Sequence, residues 1–294
     1  MEILAPDFTY TEPPRYVPRD GLSVVVLSFN EAANIERCIQ SLHLLSSDIW
    51  VVDSQSRDNT VELARKSGAH VVVQPWLGFS RQWNFALQDL PLRHADVMLH
   101  ASDEQIPEAW AKELQAQLDA PDRPDMVLTR FRFWWMNTPI MHGGYGHTYI
   151  VKAGRRPLMV YHEREVNEHI PLHGKIYRMK ERYEHNDAKE TERWLEKHVK
   201  YAQLEARERL RAKTEAALNP KFIGGGQADR VLWIRQNIYD HLPSFIRPLL
   251  YFIYRYFFRL GFLDGVRGTY FHILHAFWYP LLIDMFEYQE RKKL

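Results

Sequence analysis

Cysteine is almost missing from this sequence, since Cys38 is the single one among 294 residues. A disulfide within the chain is therefore excluded, and a lone thiol among apolar residues is typical of a reducing compartment. An excess of either charge is also missing, because 38 Lys and Arg residues face 37 Asp and Glu residues. With a formal net charge of +1, we expect no nucleic-acid partner bound through bulk charge.

Long apolar runs are scarce as well. In the C-terminal part, the longest stretch without Asp, Glu, Lys or Arg is Gly268–Ile283, which has 16 residues. A helix that crosses a bilayer needs about 20 apolar residues, so neither this stretch nor its neighbours predict a crossing. Residues 1–20 carry prolines and acids instead of a basic start and an apolar run, which predicts an extended arm and no signal peptide.

The first regular pattern in the chain is strand, helix, strand. Val24–Leu27 is an unbroken apolar run, typical of a strand buried on both faces. A helical apolar pattern follows at 35–42, with Asn34 as its predicted N-cap. A second apolar run, Ile49–Val52, ends at Asp53. Parallel pairing puts both polar strand ends at one edge of the sheet, and open α/β sheets bind their ligands at that edge. For Asp53, a role as a turn former or helix cap fits equally well.

The same alternation continues to about residue 120 and then changes. Val71–Val73 and Val97–Leu99 predict strands, and the segments 81–90 and 107–118 predict helices. Beyond Pro124 we predict a strand or hairpin arm at Met126–Trp135 and a long charged helix at 191–218. The predicted fold is α/β, followed by an α-helical, aromatic-rich C-terminal region. The predicted domains are an arm (1–20), an α/β domain (21–220, with halves 21–123 and 124–220) and a tail (221–294).

The predicted tail concentrates aromatic residues, especially within 246–262 and 269–286. Arg255 and Arg259 lie one helical turn apart among Tyr, Phe and Leu residues. This pattern favours a helix that lies in the headgroup layer of a membrane, with both arginines reaching lipid phosphates. A soluble helical subdomain or a dimer interface rich in aromatic residues is the alternative interpretation.

Several short motifs occur in a fixed order along the chain. They are Ser28-Phe29-Asn30-Glu31, 51–60 (VVDSQSRDNT), 78–86 (GFSRQWNFA), Asp103-Glu104, 164–168 (REVNE) and 261–265 (GFLDG). The ordered set resembles family 2 glycosyltransferases, the inverting enzymes of the GT-A fold. The resemblance is closest to the bacterial branch that includes lipopolysaccharide-core β-glucosyltransferases, and it covers most of the chain.

The resemblance implies a Rossmann-like GT-A domain with a mixed central sheet that binds a nucleoside-diphosphate sugar, a UDP-sugar being favoured. In the family, the segment that matches Ser28–Glu31 holds the nucleoside, and the aspartate that matches Asp53 accepts a hydrogen bond from the base. Arg81, at a helix start, would face the diphosphate, although an ordinary surface charge is the alternative. Asn84, Ser102 and Asp103 complete the implied donor site.

The family's metal motif is Asp-x-Asp, and the matching triplet here is Ala101-Ser102-Asp103. The first acid is therefore missing. The resemblance implies that Asp103 binds Mg²⁺ or Mn²⁺ that bridges the phosphates, with Glu104 or His100 as possible further ligands. A purely structural role for His100 is the alternative.

Inverting transfer needs one general base that deprotonates the acceptor hydroxyl. The resemblance assigns this role to Glu168, with Glu165 as the second choice. Family members usually read Val-His-Glu here, whereas this chain reads Val-Asn-Glu at 166–168. The loop 141–146 is interpreted as an acceptor lid carrying His142 and Tyr145, or as a plain connection.

These motifs together predict an inverting hexosyltransferase that moves a sugar to a lipid-linked saccharide or envelope glycan. We expect a peripheral or monotopic protein at the cytoplasmic face of the inner membrane. Two alternatives stay open. One is transfer to a polyprenyl phosphate, which needs no base because that acceptor is already an anion. The other is a non-catalytic glycosyltransferase-like partner of a membrane assembly, which the loss of acid at Ala101 favours.

Overall fold

The computed structural model describes residues 21–161, 170–189, 191–218 and 242–292. The chain divides into two compact units, the first from residues 1–137 and 146–189, the second from residues 138–145 and 190–294. The predicted arm at 1–20 and the predicted domain boundary at residue 220 lie outside the described residues.

The first unit is built on a mixed sheet. Its strands are β1 (Leu22–Ser28), β2 (Asp48–Asp53), β3 (His70–Val73), β4 (Asp96–Ala101), β5 (Glu104–Gln105), β6 (Met126–Trp135), β8 (Ile150–Arg155) and β9 (Ile176–His185), while β7 (Thr138–Ile140) belongs to the second unit. The order across the sheet is β3-β2-β1-β4-β8-β6-β9-β5. β3, β2, β1 and β4 are mutually parallel, β8 runs against β4 and β6, and β9 is parallel to β6.

The parallel strands explain where the polar motifs meet. Ser28 pairs in register with Asp53, and Leu27 pairs with Ala101. The residues that follow β1, β2 and β4 therefore share one edge of the sheet. That edge is the position at which α/β sheets bind their ligands. The predicted mixed central sheet is confirmed.

Helices cover both faces of this sheet and bury its apolar side chains. Val24 and Val26 pack in one cluster with α1 (Ile35–Leu42), α2 (Thr60–Lys66) and α4 (Glu108–Leu118). Val25 points to the other side, into a cluster with α3 (Phe79–Asp89). Alternate residues of β1 thus enter different cores, which is why its sequence is apolar without a break.

Asn34 has a different role from the one predicted. It lies at the N-cap position of α1, but its side chain makes no capping hydrogen bond. Its amide nitrogen donates instead to Glu31 and Asp187, at 2.8 Å each, and its oxygen accepts from the backbone N–H of Ala188. Asn34 is fully buried, so its polar atoms need partners, and two of these, Asp187 and Ala188, are distant in sequence.

The second unit is helical, with β7 and the loop to Tyr145 packed among its helices. It contains α5 (Thr191–Leu218), α6 (Ile246–Ile253), α7 (Gly265–His272) and α8 (Tyr279–Arg291). Wider π-helical turns at 254–258 and 273–278 continue α6 and α7. A buried Arg247 on α6 bonds both carboxylate oxygens of Asp284 on α8, which joins these helices. The predicted helical, aromatic-rich C-terminal region is confirmed.

Candidate functional site at the sheet edge

The loops after β1 and β2 are locked together by short hydrogen bonds. The Asp53 carboxylate accepts from the Ser28 hydroxyl at 2.8 Å and from the backbone N–H and hydroxyl of Ser56. Asn30 adopts a left-handed conformation with φ of 53°. In that conformation its N–H donates to the Ser56 hydroxyl and its side-chain oxygen accepts from the Arg57 N–H. The four residues Ser28, Asn30, Asp53 and Ser56 form one preorganised unit at the edge.

This arrangement makes Asp53 fully buried and Phe29 exposed. Asp53 has no exposed surface, whereas the Phe29 side chain is 54% exposed between two fixed residues. An exposed aromatic ring beside fixed hydrogen-bonding groups can stack on a flat base. The predicted contact of Asp53 with a nucleotide base stays a prediction. In the described structure its carboxylate holds the loop in shape.

Glu31 continues the same edge toward the end of β9. Its carboxylate accepts from Lys189 at 2.5 Å and from Asn34 at 2.8 Å. Burial raises the pKa of Glu31, and the nearby Asp103 carboxylate raises it further, whereas Lys189 lowers it. The two carboxylates therefore repel each other. Lys189, which the sequence analysis did not identify, therefore brings a positive charge to a site with two carboxylates.

Asp103 meets a histidine that the sequence did not reveal. Its carboxylate oxygen lies 3.3 Å from the Nε2 atom of His185, the last residue of β9. Pairing of Glu104 with His185 in the β5–β9 ladder fixes this approach. The two residues are 82 positions apart in sequence, so only the sheet register brings them together. A carboxylate and an imidazole at one edge are a donor pair that suits Mn²⁺.

Glu104 and His100 are buried in the interior, which does not fit their predicted metal-binding role. The Glu104 carboxylate binds Lys152 and accepts from the Ala101 N–H at 2.7 Å. Burial alone would raise the pKa of Glu104, but the charge of Lys152 and the nearby histidines hold it below the usual range. Burial, with Lys152, lowers the pKa of His100 to about 3, which keeps its ring neutral.

Of the remaining predicted donor residues, Arg81 and Asn84 lie on α3, and Ser102 lies in the turn after β4. Arg81 is exposed in the first turn of α3, and Ser102 is buried between Ala101 and Asp103. Asn84 does not face the edge as an open donor, because its side chain bonds both the carbonyl oxygen and the N–H of Tyr161, at 2.9 and 3.0 Å. It thus fixes the chain directly before residue 162. Glu165 and Glu168 lie outside the described residues.

In the second unit the predicted acceptor residues are parts of a packed cluster. The His142 ring lies 2.7 Å from Asp264, whose carboxylate also accepts from the backbone N–H groups of Met141 and His142. Tyr145 packs edge-on against Phe271 and His275. Both residues therefore connect the 138–145 segment to the helices.

The predicted membrane role of Arg255 is wrong. Arg255 is only 3% exposed, its Nε donates to the Gly143 carbonyl at 2.7 Å, and its guanidinium lies over the Tyr145 ring. A buried guanidinium that donates to a backbone carbonyl cannot reach a lipid phosphate. Arg259, one turn on, is exposed. None of the helices in the described ranges combines the length and hydropathy needed to cross a membrane.

The comparison with known families agrees with this geometry. The family model "Glycosyl transferase family 2" matches residues 23–180, more than half of the chain. The chain belongs to glycosyl transferase family 2. An uncharacterized glycosyltransferase from Rickettsia bellii is 38% identical over 98 residues, which are 33% of this chain and 31% of that protein. The lipopolysaccharide core biosynthesis glycosyltransferase LpsC from Rhizobium meliloti is 34% identical over 77 residues, 24% of this chain and 28% of that protein.

This family 2 glycosyltransferase thus spans about a third of the length of the curated relatives it matches. Among solved structures, a mannosyltransferase from Pyrobaculum calidifontis in complex with GDP-Man and Mn²⁺ has a TM-score of 0.53. Its sequence is 14% identical, and the match covers 95% of this chain and 91% of that chain. The likeness shows the GT-A fold, as predicted.

Proposed function

We propose that this glycosyltransferase moves a sugar, with inversion, from a nucleoside-diphosphate donor to an envelope glycan or lipid-linked saccharide. The observation that carries the proposal is the register of the sheet, which gathers Ser28, Asp53 and the Ala101–Asp103 turn at one edge. The LpsC relative supports an envelope acceptor, and the GDP-Man complex of the mannosyltransferase supports a sugar nucleotide as donor.

The donor would lie across the ends of β1 and β2. Phe29 offers an exposed ring for the base, while Asn30 and Asp53 offer fixed polar groups. Arg81, in the first turn of α3, would neutralise part of the diphosphate charge. Because the edge is already held by hydrogen bonds, little rearrangement is needed when the donor binds.

A divalent cation fits this edge with fewer protein ligands than the family motif provides. Asp103 and His185 would hold it, and Ala101 contributes no side-chain ligand. No group of three or more His, Cys, Asp or Glu residues suited to a metal occurs within the ranges that the structure describes. A bound Mg²⁺ or Mn²⁺ would stabilise the charge on the leaving diphosphate. Asp103 and His185, carboxylate and imidazole, favour Mn²⁺ of the two.

We assign the general base to Glu168, with Glu165 as the second choice. Asn84 bonds both polar backbone groups of Tyr161 and so anchors the chain one residue before the acidic segment 162–169. A base within hydrogen-bond reach of the acceptor hydroxyl raises its nucleophilicity, and direct displacement at the anomeric carbon then inverts its configuration.

The acceptor is proposed to be presented at a membrane surface. Many large apolar side chains of the second unit are exposed, including Phe257, Phe258, Leu263, Val266 and Tyr270. Exposed apolar patches of this kind are typical of interaction surfaces, and a helix rich in Phe and Tyr suits the interfacial layer of a bilayer. We therefore propose a peripheral or monotopic protein at the cytoplasmic face of the inner membrane.

The decisive experiment is a donor screen. Purified protein is incubated with UDP- and GDP-sugars, Mn²⁺ and envelope membrane extract, and release of UDP or GDP is measured. We expect wild type to release UDP or GDP from one donor class. Glu168→Gln should lose this activity, and the neighbouring control Glu163→Gln should keep it. Full turnover of Glu168→Gln would favour an acceptor phosphate as nucleophile. Release from no donor, together with no nucleotide binding by calorimetry, would remove the transferase proposal.

A further inference from the structure

Two neighbouring strands bring arginines directly opposite each other near the same sheet edge. In the parallel ladder of β6 and β9, Arg130 pairs with Arg182 and Arg132 pairs with Glu184. The charged cluster therefore contains three guanidinium groups and one carboxylate on one face of these strands. Like charges placed directly opposite in a sheet are destabilising, so this pairing needs a reason.

Among the residues that the structure describes, a carboxylate compensates only one of the three charges. The Glu184 carboxylate accepts from Arg132 at 2.8 Å and from the indole N–H of Trp134. Within the described part of the chain, neither Arg130 nor Arg182 forms an ion pair with a carboxylate. The Arg130 guanidinium lies 4.8 Å from the centre of the Tyr149 ring, and its Nε is buried without a hydrogen-bond acceptor.

The neighbouring positive charges change the pKa of Arg182. Burial lowers the pKa of Arg182, and the charges of Arg130 and Arg132 lower it further. Both Arg130 and Arg182 are only partly buried, so a dissolved group can reach them. Two guanidinium charges without a carboxylate partner in the described ranges match the charge of about −2 on a phosphate monoester, and their planar donors match its oxygens.

The cluster lies on the opposite face of β6 and β9 from the edge residues that would face the donor's phosphates. His185 packs against Phe131 and Phe133, which alternate with the arginines along the strand. Tyr149, beneath Arg130, instead shares a hydrophobic cluster with Tyr161. Tyr161 directly precedes the acidic segment that carries Glu168. The arginines are therefore grouped with Tyr149 and Tyr161 and not with His185.

We propose that Arg130 and Arg182, supported by Arg132, bind a phosphate group carried by the acceptor, next to but distinct from the hydroxyl that attacks. That the ligand is the acceptor rests on the proposed function. The phosphate site itself rests on the arginine pairing alone. Such a phosphate could sit on a sugar or on a prenyl chain. Trp134, beside Glu184, offers an aromatic ring next to the anion position.

The test compares Arg130→Gln and Arg182→Gln with wild type and with Arg65→Gln. Arg65 is an exposed arginine in the last turn of α2, at the other end of the sheet, and matches the charge change. Three probes are titrated at constant ionic strength: glucose 6-phosphate, farnesyl phosphate and uncharged glucose. Thermal shift and calorimetry report binding, and calorimetry with UDP and GDP reports the donor site separately.

We expect both phosphates, but not glucose, to stabilise wild type and Arg65→Gln, and the dissociation constant to rise about tenfold or more in Arg182→Gln. Without ligand, Arg182→Gln should melt no lower than wild type, because a repulsion is removed. A response to only one phosphate also supports the site and identifies its source. No response of wild type, or an equal response in Arg182→Gln and Arg65→Gln, overturns the proposal. If neither wild type nor any variant binds UDP or GDP, the proposed donor site is wrong, and the phosphate result is unaffected.

Discussion

At the scale of single residues, Asp53 shows how a buried acid organises a binding edge. Its two oxygens accept three hydrogen bonds, from Ser28 and Ser56, and no part of it is exposed. The bonds hold the loop that follows β2 against the loop that follows β1. Any contact that Asp53 makes with a nucleotide base depends on this scaffold, so its substitution acts on stability and binding together.

We therefore expect Asp53→Ala to lower both the free energy of unfolding and the affinity for nucleotide. Three donors lose their acceptor, and one unsatisfied buried group costs about 1–3 kcal/mol. Urea unfolding and calorimetry with UDP and GDP in Mn²⁺ measure the two effects. Asp89→Ala, at an exposed position near the end of α3, is the matched control and should change neither. Unaltered nucleotide affinity in Asp53→Ala would remove Asp53 from the donor site.

His185 gives the second prediction at this scale, because it lies 3.3 Å from Asp103. If the two residues share a cation, His185→Gln should weaken Mn²⁺ binding in the presence of UDP about tenfold, and Asp103→Asn at least as much. Electron paramagnetic resonance of Mn²⁺ measures this without turnover. The exposed His173 provides the control His173→Gln. Equal Mn²⁺ affinity in all three variants would contradict a shared site.

At the scale of elements, the turn between β4 and β5 is held by a buried ion pair. Glu104 begins β5 and binds Lys152 from β8, while also accepting from the Ala101 N–H. Lys152 additionally lies 4.3 Å from the centre of the Tyr183 ring on β9. The pair thus contacts four strands, β4, β5, β8 and β9, and its Glu104 comes directly after Asp103 in the chain. Its effect on catalysis would be through the position of Asp103, since neither residue faces the edge.

Lys152→Met should destabilise the protein by about 3–5 kcal/mol, because Glu104 is left as an unpaired buried charge. The pH dependence has a definite sign. In wild type the pKa of Glu104 is lowered, so its stabilising contribution is present at neutral pH and is lost as the pH falls through that lowered pKa. In the variant the charge of Lys152 is gone, and burial then outweighs the nearby histidines and raises the pKa of Glu104, so the variant gains stability as Glu104 becomes protonated.

The difference in unfolding free energy between wild type and Lys152→Met should therefore shrink from pH 8 to pH 5. Urea unfolding at several pH values measures it. The control is Lys112→Met, whose lysine pairs with Glu108 at the exposed surface and should give a small, pH-independent change. A difference between wild type and Lys152→Met that stays constant with pH would show that Glu104 is not the group that titrates.

The elements also show what could and could not be predicted from sequence. β1, β2 and β4 were predicted because strands buried on both faces are apolar without a break, and α5 because its helical pattern is long. His185 was missed because nothing local distinguishes the last residue of β9, and only the pairing with Glu104 brings it to Asp103. The membrane role of Arg255 was wrong for the same reason, since its acceptor, Gly143, is 112 residues away.

The loop and the helices of the second unit are joined by one carboxylate. Asp264 accepts from the Met141 and His142 N–H groups and contacts the rings of His142 and His272. Gly143 is required there, because a Cβ at its φ of 71° would lie 2.2 Å from the His272 ring. Asp264→Ala should therefore release residues 141–144.

Hydrogen exchange followed by mass spectrometry measures that release at Met141 and His142. We expect protection of both amides to fall about tenfold in Asp264→Ala, because each loses its acceptor. Glu192→Ala, at an exposed position on α5, serves as the control. Unchanged protection in Asp264→Ala would show that packing of Tyr145 against Phe271 holds the segment without the carboxylate.

At the scale of the whole molecule, the two units differ in how their exposed apolar side chains are distributed. The exposed large apolar side chains of the first unit are spread along its sequence, from Phe29 and Leu44 to Leu172, whereas many of those of the second unit fall within 245–273. The buried Arg255 cannot contribute charge to that surface, so membrane binding by the second unit would depend on apolar insertion and on exposed cations such as Arg259.

Phe258 and Val266 are 75% and 72% exposed, so acidic residues at these positions should fold normally. Phe258→Glu with Val266→Glu should reduce binding to vesicles of phosphatidylglycerol and phosphatidylethanolamine by at least tenfold, because charged groups resist entry into the interfacial layer. Flotation of vesicles measures the bound fraction. Leu44→Glu, at a position 53% exposed in the first unit, controls for added charge. If the double variant floats as wild type does while its melting temperature is unchanged, the apolar face serves another partner, and the acceptor must reach the sheet edge without it.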